Sequence, residues 1–278
     1  GTGDGQDGYN AIKEIAKLPW CAGKISLAGN SWLAVSQWFI AAQRPPHLAC
    51  IAPLEGCSNH LQETFSRGGI PKTRFVALIS NTLAGRNMLE SDIKMLEKYP
   101  DRNAYWDDKR ARMDRIQVPA YILGSYFTGL HTVGKWYGLY SKERIDDLQR
   151  FVDRYLKGIK NDWEQTPPVR LAVLGFNKPP ILDLPFDHLP WHSPFAPTTN
   201  VQKLFLSQNK SFQAENDTNY GTLEYKDTET LELLYTFRQS TTLAGPTKLV
   251  IHTSCPSQTD FDIYLQLRKR DRSGNDLI

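Results

Sequence analysis

The sequence is short of strong signals of several kinds, and each shortage narrows what the chain can be. No apolar run approaches the roughly 20 residues of a membrane-spanning helix, so no membrane partner is expected. There is no excess of charge either: the formal net charge is +3, and basic runs such as Arg268-Lys269-Arg270 and Lys109-Arg110 are short and acid-flanked. Such a pattern describes a solvated surface rather than a nucleic-acid footprint. Cysteine is scarce, with four residues (Cys21, Cys50, Cys57 and Cys255), no Cys-x-x-Cys pair and no metal-ligand spacing. Buried free thiols in a reducing, cytoplasmic compartment are the simplest reading, and a single disulfide stays open. Internal repeats and low-complexity segments are missing. An initiating Met is missing too: the chain opens Gly1-Thr2-Gly3, and only three residues follow the turn-forming Arg272-Ser273-Gly274-Asn275, so both ends read as cuts from something longer. What remains, 40% hydrophobic and 23% charged over 278 residues, is the composition of a folded globular chain with room for two domains.

Periodicity supplies the organisation. From about Asp7 to Ala16 the apolar residues Tyr9, Ile12, Ile15 and Ala16 share one helical face. Pro19 and Gly23 break that helix, and Lys24 to Ala28 reads as a short strand. Gly29-Asn30-Ser31 follows, then an apolar-faced helix from Trp32 to about Gln43, stopped by Pro45-Pro46. Leu48 to Pro53 is a continuous apolar run between breakers, the pattern of a fully buried parallel strand. Helix, strand, helix, strand with short joins predicts a doubly wound α/β sheet. From about 58 to 116 the chain turns polar and helical, without strands, and is read as a helical cap over the sheet; Asp107 to Ile116 is expected to be a charged helix. Val118 to Gly124 returns to a buried strand. Asp146 to Leu156 is a helix with Leu148, Phe151, Val152 and Tyr155 on one face, closed by Lys157-Gly158.

Past about residue 167 the texture changes to short alternating strands: Val169 to Phe176, Leu249 to Ile251, and a run in which Phe261, Ile263, Leu265 and Leu267 face one way. A proline-rich stretch from Lys178 to Pro197 interrupts them. The expectation is an α/β domain over 1–166 and a C-terminal β-sandwich or jelly roll, incomplete, over 167–278.

The chemistry concentrates between Gly23 and Ala34. A strand, a tight turn at Gly29-Asn30-Ser31-Trp32 and an immediate helix are the geometry of a nucleophile elbow. The serine hydroxyl stands exposed above the sheet there, and the N–H of the next residue, Trp32, helps to stabilise an oxyanion. The usual Gly-x-Ser-x-Gly is half kept, since Leu33 stands where the second glycine would be. Serine is also a frequent helix N-cap, so spacing alone leaves both roles open.

The flanking residues resemble a known family. Asp7-Gly8-Tyr9, Leu18-Pro19-Trp20-Cys21 and Gly23-Lys24-Ile25-Ser26-Leu27-Ala28-Gly29-Asn30-Ser31-Trp32-Leu33-Ala34 are similar to the elbow region of the Xaa-Pro dipeptidyl-peptidase and cocaine-esterase (CocE/NonD) family of α/β-hydrolases. Ile51-Ala52-Pro53 resembles the strand after the nucleophile helix, and Arg115 to Ala120 the entry to the strand bearing the catalytic acid. Gly245-Pro246-Thr247 with Thr259-Asp260-Phe261 resembles the C-terminal, galactose-binding-like jelly roll. The resemblance implies a serine hydrolase in which Ser31 attacks an ester or amide carbonyl, a histidine takes its proton, and a carboxylate orients that histidine. It implies a small ester or peptide as substrate, no metal or organic cofactor, and nothing about oligomeric state.

Two positions depart from that pattern. The family's acid follows a Gly-Trp-Tyr-Asp-Gly-like motif, whereas this chain has Gly124-Ser125-Tyr126-Phe127-Thr128-Gly129, with Thr128 at the acid position. A threonine carries no charge to stabilise an imidazolium. The family's histidine segment has no counterpart, because Leu130 to Tyr140 is too short for another strand and loop. His131 is the imidazole nearest that region and the candidate base, against the alternative of a loop histidine with no catalytic role. His47 and His60 read as surface or cap residues, and His188, His192 and His252 as structural. The family's first strands and second oxyanion donor precede the segment at which this chain begins, and Gly1 to Gly5 reads as the loop leading out of them. Three functions follow for test: a serine hydrolase, a catalytically inactive relative or truncated product keeping only the scaffold, and a carbohydrate-binding module in the C-terminal sandwich.

Overall fold

The structure is a computed structural model that describes residues 1–83, 85–86, 88–124, 140–173, 175, 179–185, 202–215, 221–243 and 247–277. The chain divides into two compact units, Gly1–Gln165 and Thr166–Ile278.

The first unit is built on a strand–helix–strand repeat. β1 (Ile25–Asn30) pairs in parallel with β2 (Leu48–Leu54), and α2 (Trp32–Ala42) makes the crossover between them. The segment 119–123 adds to the other edge of β2 in the same direction. The N–H of Ile51 donates to Pro119 O (3.0 Å), that of Tyr121 to Ile51 O (2.9 Å), and that of Glu55 to Leu123 O (2.8 Å). β2 is therefore central, and six of its seven residues are buried, as its unbroken apolar run predicted. The 119–123 segment differs from its expected burial: Ile122 is 62% exposed, and among the described residues only β2 bridges to the segment.

α1 (Thr2–Ile15) lies against α2 and starts five residues before the expected Asp7. The opening glycines are helical, not a loop, and two of them are the contact. A Cβ on Gly5 would stand 2.7 Å from the carbonyl oxygen of Phe39, and one on Gly8 would enter the Ile40 side chain. Glycine costs helix propensity, but it lets two backbones approach, and the second effect decides here. The face that packs is Gly5, Gly8 and Ile12, so Ile15 is left exposed. Ile12, Val35, Trp38, Phe39, Leu48 and Ile51 form the core of this layer.

A second core sits in the 58–116 segment, where Leu61, Phe65, Val76, Leu96 and Trp106 pack together. It is assembled from a π-helical turn (His60–Phe65), α3 (Thr73–Leu83), α4 (Asp92–Lys98) and α5 (Ala104–Asp108). The expected charged helix over 107–116 is not formed. α5 ends at Asp108, because the next residues pair across the chain: Ala111 N–H donates to Ser58 O (2.8 Å), and Arg110 bridges to Asn59. Nor is the segment free of strands. β3 (Ser66–Arg67) and β4 (Ile70–Pro71) make a two-residue hairpin, whose turn needs φ of +68° and +88° at Gly68 and Gly69. α6 (Lys142–Tyr155) is longer than predicted, and its Phe151 meets Tyr121 and Trp163 at ring-centroid distances of 5.6 and 5.5 Å. Tyr121 also donates its hydroxyl to Asp147 (2.8 Å), which fixes α6 to the 119–123 segment.

Among its described residues, the second unit forms three antiparallel pairs. These are β5 (Arg170–Val173) with β6 (Ile181–Pro185), β7 (Phe205–Leu206) with β8 (Phe212–Gln213), and β9 (Lys269–Arg270) with β10 (Asp276–Leu277). The Arg272–Asn275 turn joins the last pair as its composition predicted. Asp271 accepts the N–H groups of Ser273 and Asn275, and Gly274 takes φ +83°. Leu249 to Ile251 and Phe261 to Arg268 alternate as strands do but form no ladder, and Leu265 and Leu267 are 66% and 76% exposed. Alternation fixes which face a side chain would take, and only a pairing partner makes a strand of it.

The Gly5 contact gives a direct test. Gly5→Ala should destabilise the chain by roughly 1–3 kcal/mol in urea denaturation through overpacking, although alanine gains about 1 kcal/mol of helix propensity. Unchanged or raised stability would show that α1 does not meet Phe39.

Candidate active site

The site is the turn between β1 and α2. Ser31 holds φ 57° and ψ −127°, a conformation that side-chain-bearing residues rarely adopt. Helix N-caps ordinarily have extended dihedrals and accept an N–H on the side-chain oxygen. Ser31 has neither property: the dihedrals lie elsewhere, and the side chain makes no capping hydrogen bond to α2. The capping alternative left open by the sequence is therefore not what the turn adopts.

Three neighbours hold the turn. The N–H of Ser31 donates to Leu54 O (3.2 Å) at the end of β2, and Ser31 O accepts from Ala34 and Val35 (both 2.9 Å), which closes the first turn of α2. Gly29 is needed because a Cβ there would stand 2.7 Å from Leu33 Cβ. Leu33, in place of the second motif glycine, thus makes the first one obligatory. Gly56 plays the same part on the other side, where a Cβ would stand 2.5 Å from Ala34 Cβ and 2.8 Å from Val35 N. Trp38 Nε1–H donates to Gly56 O (3.3 Å) across this contact.

Gln37, only 2% exposed, is the buried polar clamp behind the elbow. Its Nε2 donates to Leu33 O (2.8 Å) and, at 3.5 Å, towards Gly29 O, while Oε1 accepts the N–H of Ala52 (3.0 Å). One side chain so links α2, the end of β1 and the middle of β2. Periodicity gave no sign of it, since a glutamine in an apolar-faced helix reads as a solvent residue.

His60, expected at the surface or in the cap, lies in the 58–116 segment and is buried there, at 9% exposure. Its ring lies among Trp32, Phe65 and Phe39, with centroid distances of 5.2, 5.7 and 6.2 Å. Burial, aided by the nearby positive charges of the N-terminus and Lys109, pushes its pKa down to about 4, so the imidazole is neutral. His47 is half-buried, with Nδ1 2.9 Å from Gly23 O, and His252 is exposed and outside any strand. Thr128 and His131, with His188 and His192, lie outside the described residues. All four cysteines are free, and burial raises the thiol pKa of Cys50 and Cys57, which leaves them as thiols rather than nucleophilic thiolates. Among the described residues no cluster of His, Cys, Asp and Glu could hold a metal ion, and no helix is long and apolar enough to cross a membrane.

With this geometry, comparison with known proteins becomes informative. The family model of the X-Pro dipeptidyl-peptidase (S15 family) matches residues 1–153, more than half of the chain. The chain belongs to the X-Pro dipeptidyl-peptidase family. The model of that family's C-terminal non-catalytic domain matches residues 161–278. A CocE/NonD family hydrolase from Staphylococcus aureus is similar in structure, with a TM-score of 0.61, 24% identity and 76% of this chain covered. A second structure of a CocE/NonD family hydrolase from that organism has a TM-score of 0.61 and 23% identity over the same share. An aminopeptidase from the marine sediment archaeon Thaumarchaeota archaeon has a TM-score of 0.54, 15% identity and 80% of this chain covered. At these identities the likenesses carry the fold, an α/β-hydrolase domain followed by a C-terminal domain. The chain spans 42% of the length of the staphylococcal hydrolases and 47% of the archaeal aminopeptidase. No curated protein matches.

Two tests follow. Gln37→Leu keeps the volume but orphans the Ala52 N–H, and should cost roughly 1–3 kcal/mol in urea denaturation; a loss below about 0.5 kcal/mol would mean that the clamp is not made. His60 titrates at about 4 when folded and near 6.5 when unfolded, so the unfolded chain binds its proton first as pH falls. Its contribution is neutral above 6.5 and becomes destabilising by about 3 kcal/mol on descent to pH 4. His60→Phe should lose that acid sensitivity, measured as the difference in unfolding free energy between pH 7 and pH 4; an unchanged difference would place the imidazole in water.

Proposed function

We propose that Ser31 is the nucleophile of a serine hydrolase that cleaves an ester or a peptide amide through an acyl-enzyme. The observation that carries this reading is the Ser31 backbone, held at φ 57° and ψ −127° between β1 and α2. Strain of this kind costs about 1–3 kcal/mol and persists where surrounding structure over-determines it, which is characteristic of active-site turns. At the N-terminus of α2 the first N–H groups have no intrahelical acceptor, so the Trp32 N–H is suited to receive developing negative charge.

In the proposed reaction the Ser31 Oγ attacks the carbonyl carbon, and the carbonyl oxygen takes the negative charge opposite the Trp32 N–H. The tetrahedral intermediate then collapses, expelling the alcohol or amine and leaving the acyl group on Ser31. Water repeats the sequence and frees the serine. His131 is the proposed base, taking the Oγ proton and giving it to the leaving group. Thr128, at the family's acid position, cannot supply the charge that orients a histidine, and it favours one competing reading: a scaffold without turnover. The family's description as a dipeptidyl-peptidase and the names of its relatives, a hydrolase and an aminopeptidase, agree with attack at an acyl carbon.

A fluorophosphonate probe followed by intact mass separates the two readings. Wild type should gain one adduct and Ser31→Ala none, and His131→Ala should slow labelling by about 10²- to 10⁴-fold. No adduct on a folded wild-type chain would overturn the hydrolase reading and leave the scaffold.

A further inference from the structure

β2 is followed directly by Glu55, a carboxylate on the strand that neighbours the nucleophile strand. We propose that Glu55 is the carboxylate of the Ser31 site. It orients the histidine that takes the Oγ proton and stabilises the imidazolium, in place of the charge that Thr128 cannot carry. The proposal rests on the hydrolase reading, and it makes Glu55 a positioning residue, which acts on the serine through the imidazole.

Position comes first. Asn30 of β1 pairs with Leu54 of β2, so Ser31 and Glu55 are the next residues of two parallel strands, whose spacing is about 4.8 Å. The hydrogen bond from the Ser31 N–H to Leu54 O (3.2 Å) carries this alignment to the serine itself. On its other side, the Glu55 N–H donates to Leu123 O (2.8 Å), which puts Glu55 between the elbow and the end of the 119–123 segment. In open parallel sheets ligands bind outside the carboxyl ends of the strands, and all three of these segments end there. Of the residues that directly follow them, Ser31, Glu55 and Gly124, Glu55 alone carries a charge.

Conformation comes next. Glu55 takes φ 55°, close to the 57° of Ser31, and it is half-buried. Glycine adopts such a backbone without strain, so the turn into Gly56 gives no reason for a glutamate. Its charge supplies the reason. An imidazolium forms each time a histidine takes the serine proton, and a carboxylate bonded to the far ring nitrogen fixes the tautomer and stabilises that cation. Thr128, at the family's acid position, has no charge to offer. A carboxylate at a neighbouring strand end can take over the role, because the members of a triad are defined by geometry and not by sequence position.

The test is the rate at which an uncharged fluorophosphonate labels the whole chain, measured against pH. Glu55→Gln keeps the shape and removes the charge, and should slow labelling about 10²- to 10⁴-fold. Loss of a nearby negative charge lowers an imidazole pKa, so the rising limb of the variant's pH–rate profile should move to lower pH. Glu55→Gly is the second variant should glutamine not be accommodated. It relieves the positive φ, so the chain should stay folded in urea denaturation while labelling slows to the same degree. Labelling of a folded variant at the wild-type rate would overturn the proposal; joined to a raised KM for a peptide, it would set the charge against the substrate amine instead. Slower labelling with an unmoved limb would also overturn it and reduce Glu55 to a structural role. An unlabelled wild type would sink the hydrolase reading and this proposal together, whereas a labelled wild type with indifferent variants sinks this proposal alone.

Discussion

A serine at φ 57° and ψ −127° cannot hold itself there. A strained residue of this kind gives up about 1–3 kcal/mol relative to a relaxed conformation, so the elements on either side of Ser31 must be fixed to each other more firmly than that. The first unit shows how. Val35, Trp38 and Phe39 of α2 are buried, and each such side chain contributes on the order of 1.5–3 kcal/mol. β1 is laddered to β2 through six residue pairs, and Gln37 bonds both strands to the helix between them. Strand, helix and strand thus form a closed frame, and the serine takes the one conformation that joins its corners.

The frame also explains the broken motif. A small residue two positions after the serine normally lets the helix lie close to the strand. Here Leu33 occupies that position and is 66% exposed, so its bulk is directed out of the core rather than into it. The close approach is then carried by Gly29 and Gly56, where a Cβ on either would stand less than 3 Å from α2. The motif is better understood as a requirement for space between three backbone segments than as a pair of fixed glycines. Which residue supplies the space can change, provided the total does not.

Local signals make the βαβ core legible in the sequence. The buried run at Leu48, the break at Pro45-Pro46 and the strand–turn–helix at Ser31 each depend on residues within a few positions of one another. What escaped depends on partners far away in sequence. The helix expected over 107–116 is unmade by pairing with residues 58 and 59. The helical opening at Gly5 and Gly8 is licensed by Phe39 and Ile40, and propensity alone counts against it. Gln37 looks like a solvent residue, and His60 like a surface or cap one, until Ala52, Trp32 and Phe65 are brought to them. Of the candidate site, the strand–turn–helix that strains Ser31 was legible because the elbow is local. A base and an acid reach the serine only through tertiary folding, and spacing says little about them.

His60 occupies a place that joins two cores. Phe39 belongs to the core under α1 and α2, Phe65 to the core of the 58–116 segment, and the imidazole meets both. A phenylalanine or leucine would fill this junction without the desolvation cost that a ring nitrogen brings, so packing alone gives no reason for a histidine. The electrostatics add a constraint: at neutral pH the group is uncharged, which keeps the cost to that of one unpaired polar atom instead of a buried ion. The junction therefore carries the cost of one polar atom, held low by neutrality, at the ring where the two cores of the first unit meet.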